Sequence, residues 1–229
     1  MAKWRYVPLI TIGICGASGS GKSTLAREIR DSLTCSALII GLDCYYRDHS
    51  DLPFSERVRI NYDEPAIFDF DELLADLEAL ERGAAITRNA YDYSNHTRAD
   101  TNELLQPPDV LILEGIHMFR DKRISEKMVL KVFMHVDVDI CLLRRIKRDI
   151  EERGRSIESI EAQYLATVKP MYEEYVSKYI RQADFAVMRG GRNRLAIDAI
   201  SAYLSARLLA EKFDREESVL PRMEKEKGA

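Results

Sequence analysis

The feature that most constrains this chain is the octet Gly16-Ala17-Ser18-Gly19-Ser20-Gly21-Lys22-Ser23, which fits G-x-x-x-x-G-K-[ST]. It follows directly on the apolar, β-branched run LITIGIC of residues 9–15 and leads directly into a helix-like segment at 23–33. An unbroken run of that kind reads as a strand buried on both faces of a parallel sheet. The octet is then a strand-to-helix turn. With glycine at about 7% of residues, chance alone produces this pattern in roughly one chain of this size in a hundred, and the strand-loop-helix placement makes coincidence rarer.

Each residue type in the loop has a chemical reason. Glycines at 16, 19 and 21 let the backbone turn tightly, so that the N–H groups of Gly16, Ala17, Ser18, Gly19, Ser20 and Gly21 converge on one anion at a helix N-terminus. Lys22 adds a compact positive charge for β- and γ-phosphates, the Ser23 hydroxyl suits Mg²⁺, and Thr24 offers a further phosphate contact. A second Mg²⁺ contact normally comes from a carboxylate at the end of a neighbouring strand. Glu114, after the run VLIL at 110–113 and before Gly115, is that candidate.

The rest of the chain supports α/β layering. Apolar runs recur at 37–42, 129–136 and 185–188, with helical segments between several of them. Asp69 with Glu72 three residues on reads as a capping box, and Leu73, Leu77 and Leu80 then keep helical spacing until Gly83. Between 139 and 153 the spacing of Leu142, Leu143, Ile146 and Ile150 predicts an apolar stripe, with Arg144, Arg145, Lys147 and Arg148 on the remaining surface. A helix broken at Lys169-Pro170 is expected over 158–181. Another, over 194–213, places Ile197, Ile200, Leu204 and Leu208 on one face. The charged stretch 214–229, with Pro221, reads as a frayed tail.

Composition closes off several classes. The chain has 229 residues, 46% hydrophobic and 31% charged, with a net charge of −4, which argues against a disordered chain and against nucleic acid as a partner. No apolar run nears the roughly 18 residues of a membrane span, and the opening residues read as the lead-in to a strand rather than a secretory signal. A cytoplasmic protein with no membrane partner is expected. Cys15, Cys35, Cys44 and Cys141 have no C-x-x-C spacing, so reduced thiols are expected, and the sequon at Asn95 reads as chance.

A signalling GTPase would need D-x-x-G and N-K-x-D; no Asp here stands three residues before a Gly, and Asn-Lys does not occur. A small-molecule kinase needs instead a base beside its acceptor. Asp43, in GLDCYY after the second strand, is the candidate. In a doubly wound sheet, ligands gather at the carboxyl ends of the strands, so Asp43, Glu114 and the loop should share one cleft.

The ordered motifs GASGSGKST from Gly16, DCYYRD from Asp43, NYDEP from Asn61, YDYSNHTR from Tyr91, LEG from Leu113 and RRIKRDIEERGRS from Arg144 extend the pattern. With Gln163-Tyr164 and Met188-Arg189-Gly190-Gly191, they make the chain resemble the uridine kinases of the phosphoribulokinase and uridine kinase family, bacterial members most closely, over roughly 9–200. The resemblance implies a P-loop NTPase fold, with a parallel sheet flanked by helices, and transfer of the γ-phosphate of ATP or GTP, with Mg²⁺, to the 5'-hydroxyl of uridine or cytidine in pyrimidine salvage. By that resemblance Asp43 is the base, Tyr46 lines the nucleoside pocket, and Asp63, with Tyr62 beside it, holds the ribose hydroxyls. Tyr91, Tyr93 and His96 surround the base, Arg145 meets the acceptor, and Gln163 closes the sugar site. Arg148, Arg153 and Arg155 belong to a lid over the triphosphate, Arg148 acting in catalysis. His49, His117 and His135 read as structural.

Two departures flank acceptor contacts: Glu64 stands where family members commonly carry histidine, and Cys44 where they carry serine or asparagine. Residues 99–106 also depart from the usual β-branched strand. The expected organisation is one kinase domain over 1–213, with a β-rich acceptor excursion at 86–106, a helical lid at 144–160 and the tail at 214–229. Assembly as a homo-oligomer, a tetramer, is implied by the resemblance. The rival readings are a related kinase acting on ribulose 5-phosphate or pantothenate, and a non-catalytic nucleotide-binding regulator. The first would call for an added basic cluster near the acceptor, the second for loss of Asp43.

Overall fold

The structure, a computed structural model, describes residues 9–99 and 101–219. The opening residues 1–8 and the end of the chain from 220, Pro221 included, lie outside the described residues.

In chain order, β1 (Ile10–Gly16) leads through the glycine loop into α1 (Lys22–Ser32), and β2 (Ala37–Gly41) ends in a 3₁₀ turn, Leu42–Tyr45. A short α2 (Phe54–Arg57) and a 3₁₀ turn at Pro65–Ile67 precede α3 (Phe70–Glu81). The excursion follows as β3 (Ile86–Arg88), β4 (Tyr91–Asp92), β5 (Thr97–Arg98) and β6 (Glu103–Leu105). Then come β7 (Val110–Glu114), α4 (Lys122–Ser125), β8 (Leu130–His135), α5 (Val138–Glu151) and α6 (Ile157–Gln163). A π-turn at Tyr164–Val168 leads into α7 (Lys169–Glu174), a 3₁₀ stretch at Val176–Gln182, β9 (Phe185–Met188) and α8 (Arg194–Val219).

Among the described residues the main sheet has five parallel strands, in the order β2-β7-β1-β8-β9. Alternation along the strands sorts side chains to two faces. Ile10, Ile12 and Ile14 of β1 and Val110 and Ile112 of β7 pack with Leu25 and Ile29 of α1 and Ile197, Ile200, Leu204 and Leu208 of α8. Leu111 and Leu113 point the other way, toward Leu73, Leu77 and Leu80 of α3. The spacing predicted for α3 and α8 is the spacing that is buried. Asp69 caps α3 by accepting the Glu72 N–H at 3.0 Å. Emptying any one of these leucine positions to alanine would cost about 2–5 kcal/mol.

The excursion forms two small antiparallel ribbons, β3 with β6 and β4 with β5. Two arginines fasten them to α3. Arg88 of β3 is buried, pairs with Asp76 and lies over the Tyr45 ring at 3.5 Å. Arg98 of β5 donates to both carboxylate oxygens of Glu72, at 3.1 and 2.6 Å, and to the Tyr46 carbonyl at 3.0 Å.

Three expectations change. The apolar stripe of α5 is not its packed face: Leu143 and Ile150 are exposed, at 63% and 45%, while Cys141, Arg145 and Asp149 are buried. Arg145 therefore leaves the basic surface on which the spacing placed it. The reason is that α5 lies against the glycine loop and a polar cluster rather than on the apolar sheet, so charge pairing decides its inward side. The break expected at Lys169-Pro170 comes earlier, as the π-turn, because Pro170, in the first turn of α7, has no N–H to give and the widened turn absorbs the shift. Finally, α8 continues past 213 to Val219, so the first part of the expected tail is helical backbone.

Candidate active site

The sheet order brings the chemistry together. β7 lies between β2 and β1, with Glu114 beside Gly41 on one side and Ile14 on the other. The loop after β1, Glu114 at the end of β7 and Asp43 two residues past β2 therefore meet at adjacent strand ends, where ligands bind in open parallel sheets. They line one cleft of about 1340 Å³. Gly115 is required there for room as well as turning, since a Cβ would come within 2.4 Å of the Leu42 Cβ and push away the turn carrying Asp43.

The loop is shaped for an anion. Gly19 sits at φ +83° and a Cβ there would lie 2.2 Å from the Cys141 carbonyl oxygen, so only glycine lets α5 approach so closely. Lys22 is buried, its Nζ donating to the Ala17 carbonyl at 3.0 Å across the loop. Ser20 Oγ, also buried, has no hydrogen-bond partner among the described residues. Ser23 Oγ donates to Glu114 Oε1 at 2.7 Å. Burial pushes the Glu114 carboxyl above the usual carboxylate range, against the pull of Lys22. A hydroxyl and a carboxylate set side by side next to a phosphate cradle form an all-oxygen donor set, which fits Mg²⁺ held partly by protein and partly by phosphate.

On the opposite wall stand Tyr46, Tyr62, Asp63, Tyr91, Tyr93 and His96. Tyr46 packs edge-on to Tyr62 at 5.2 Å and donates its hydroxyl to the Tyr62 carbonyl at 3.2 Å, and His96 stacks on Tyr62 at 5.0 Å. Tyr93 donates its hydroxyl to Asp43 Oδ2, and its ring carries the Arg153 guanidinium 4.0 Å from its centre. Asp63 is buried and accepts from Thr167 Oγ1 at 3.3 Å; burial raises its pKa, opposed by Arg145.

His117, read from the sequence as merely structural, supports that aspartate. It is fully buried, with Nε2 2.7 Å from the Asp63 carbonyl oxygen and Nδ1 3.1 Å from the Tyr179 hydroxyl. A carbonyl only accepts, so Nε2 carries the proton and Nδ1 accepts from Tyr179. Burial lowers the His117 pKa to about 4, which keeps the ring in that neutral form.

The arginines of the RRIKRDIEERGRS segment gather round Asp149, which has no exposed surface. Arg148 lies 2.9 Å from it, Arg153 and Arg155 3.4 Å and Arg145 3.6 Å. Arg145 also donates to Ser18 Oγ of the loop and to Gln163 Oε1, each at 2.9 Å, and Arg155 donates to Gln163 Oε1 at 2.5 Å. One buried carboxylate thus holds four guanidiniums beside the cleft. Spacing did not single out Asp149 or Thr167; their roles exist only across the fold. Arg189 and Arg192, which also line the cleft, flank the glycine pair noted in the sequence. Glu64, one of the departures, is exposed, outside the cleft lining.

The sequence model of the Phosphoribulokinase / Uridine kinase family matches residues 11–196. A uridine kinase of Leuconostoc citreum is 47% identical over 204 residues, covering 88% of this chain and 97% of the relative. A uridine kinase of Escherichia coli K12 is 45% identical over 201 residues, covering 86% and 94%. Among solved structures, phosphoribulokinase from Rhodobacter spheroides superposes with a TM-score of 0.59 at 18% identity, over 80% of this chain and 70% of that one. D-glycerate 3-kinase from Cryptococcus neoformans gives a TM-score of 0.52 at 17% identity, over 76% and 81%. At such identities the superpositions speak to the fold, that of the P-loop kinases, while the family match spans most of the sheet and the cleft. The chain belongs to the phosphoribulokinase and uridine kinase family.

Proposed function

We propose that this protein is a uridine kinase, transferring the γ-phosphate of ATP or GTP to the 5'-hydroxyl of uridine, and of cytidine, in pyrimidine salvage. The observation that carries the reading is one cleft that holds an anion cradle, a carboxylate at a strand end beside it, and a second, buried carboxylate among aromatic rings. Relatives named uridine kinase at 45–47% identity support it.

In this reading Gly16 to Gly21 and Lys22 hold the triphosphate, with Thr24 adding a contact. Ser23 and Glu114 hold Mg²⁺, which neutralises phosphate charge when bound. Asp63 accepts from the two ribose hydroxyls, Tyr46, Tyr62, Tyr91, Tyr93 and His96 enclose the base, and Gln163 closes the sugar side. Asp43 takes the proton of the 5'-hydroxyl as that oxygen bonds to the γ-phosphorus and the bond to the β,γ-bridging oxygen breaks. Arg148, Arg153 and Arg155 face the charge that develops on the transferring group. Arg145, held to Ser18 and Gln163, links the phosphate and sugar sides rather than standing on an open surface.

The same reading makes residues 1–213 one kinase domain with the excursion at 86–106 and a lid at 144–160, and the protein a cytoplasmic homotetramer. No helix among the described residues is long and apolar enough to cross a membrane. Sedimentation tests the assembly. The activity is tested by supplying ATP and Mg²⁺ with uridine, cytidine, ribulose 5-phosphate or pantothenate and measuring phosphorylated product. Phosphorylation of the nucleosides alone is expected; product from either of the other two would replace this reading.

A further inference from the structure

A kinase whose acceptor is a hydroxyl faces a competing reaction, because water near the same base can attack the same phosphorus. In this cleft one carboxylate oxygen of the base is already engaged. The Tyr93 hydroxyl donates to Asp43 Oδ2, so a protein hydroxyl occupies the place on the carboxylate that an acceptor hydroxyl would take. Tyr93 is itself placed by a braced ribbon. Asp92 accepts from the Ser94 and Asn95 N–H groups at 2.8 and 3.2 Å and from Asn95 Nδ2 at 2.7 Å, closing the turn between β4 and β5. Arg98 fastens the far strand to Tyr46 and Glu72. The other face of the contact is the lid: Arg153 lies over the Tyr93 ring at 4.0 Å while reaching Asp149 at 3.4 Å.

We propose that Tyr93 guards the base: in the absence of acceptor its hydroxyl caps Asp43 and suppresses hydrolysis of the bound nucleoside triphosphate, and the incoming 5'-hydroxyl displaces it. The inference rests on the reading of Asp43 as base. The suppressed reaction is defined by its atoms. Water would lose a proton to the Asp43 carboxylate as its oxygen bonds to the γ-phosphorus, and the bond from that phosphorus to the β,γ-bridging oxygen would break, releasing the nucleoside diphosphate and inorganic phosphate. A phenol bound to a carboxylate excludes water from that oxygen for most of the time, because a hydrogen bond to a charged group is among the stronger neutral-to-charged contacts in a protein. Release also frees the ring beneath Arg153, so acceptor entry and the position of a lid arginine are linked through one side chain.

The full-length protein with ATP and Mg²⁺ and no nucleoside provides the test, with inorganic phosphate as the readout. Tyr93→Phe keeps the ring and the arginine contact and removes only the cap, and should raise acceptor-free hydrolysis by about tenfold. In Tyr93→Phe combined with Asp43→Asn, the gain should disappear, since the base that activates the water is gone. Hydrolysis unchanged in Tyr93→Phe overturns the proposal, as does a gain that persists in the double variant. Uridine phosphorylation by the parent and by Asp43→Asn, measured on the same preparations, reports separately on the kinase reading. A parent that transfers to uridine through Asp43, with no extra hydrolysis in Tyr93→Phe, refutes the guard alone.

Discussion

Asp43 and Asp63 are both carboxylates in one cleft, yet their surroundings differ. Asp43 stands on a turn at a strand end beside the phosphate cradle, whereas Asp63 is buried next to Thr167 and near Arg145. Asp43→Asn should keep nucleotide and nucleoside binding and lower kcat by about 10²- to 10⁴-fold, the usual worth of a general base, as steady-state kinetics will show. In the role proposed for it, Asp63 offers its two oxygens to adjacent ribose hydroxyls, so 2'-deoxyuridine should be used at least about tenfold less efficiently than uridine. In Asp63→Ala that ratio should shrink; kcat/KM for both acceptors in both proteins checks it, and an unaltered ratio would move the ribose contact elsewhere. His117 makes a pH prediction. Its folded pKa, about 4, lies below the unfolded value of about 6.5, so the unfolded chain binds the proton first and stability is lost as pH falls from about 6.5 toward 4. Between pH 7.5 and 5 this amounts to about 2 kcal/mol. Urea titrations of the parent and His117→Gln at the two pH values isolate it, because the opposite trends from the raised Asp63 and Glu114 are common to both proteins.

Among the elements, β1, β7 and α3 follow their letters, whereas α5 does not, nor does the edge strand β9, of which only Val187 is buried. Continuous β-branched runs have one stable use in a sheet covered on both sides, and Leu73, Leu77 and Leu80 keep one face of α3 against it. In α5, apolar residues stand on more than one side, so period alone selects Leu143 and Ile150, which the fold leaves exposed. What buries the Arg145 and Asp149 side is the attraction among five charged groups next to the glycine loop, a term that hydrophobic spacing does not contain. The β4–β5 ribbon is likewise positioned by charge, through Arg98, which grips Glu72 and the Tyr46 carbonyl. Arg98→Ala should therefore raise the KM for uridine by about fivefold, the scale of one partly exposed charged hydrogen-bond set, and leave the KM for ATP near the parent value. Equal changes in both constants would mean that the ribbon is fastened by other contacts.

For the whole molecule, the cleft joins the ends of three adjacent strands to α5 and the excursion, so a ligand bound there couples parts that are distant along the chain. ATP with Mg²⁺ at about 100 times its Kd should stabilise the folded state by about 2.7 kcal/mol, which for a protein of this size raises Tm by roughly 5–10 °C. Lys22→Ala should lose most of that shift while its ligand-free Tm stays close to the parent's, and a calorimetric scan separates the two. The glycine octet, the apolar strand runs, Glu114 at a strand end and Asp43 after another were legible because each depends on neighbours in the chain: steric freedom at glycine, alternation, helical spacing. Those local rules also sufficed to predict that the three would share a cleft, since a parallel sheet presents its strand ends together. Only the tertiary structure decided that Asp149 gathers four arginines, that Arg145 is buried against Ser18, 127 residues away, and that His117 props Asp63 across 54 residues. The physical reason is that a buried charge or imidazole takes its role from whatever partner the fold brings within about 3 Å, and local spacing does not encode that partner.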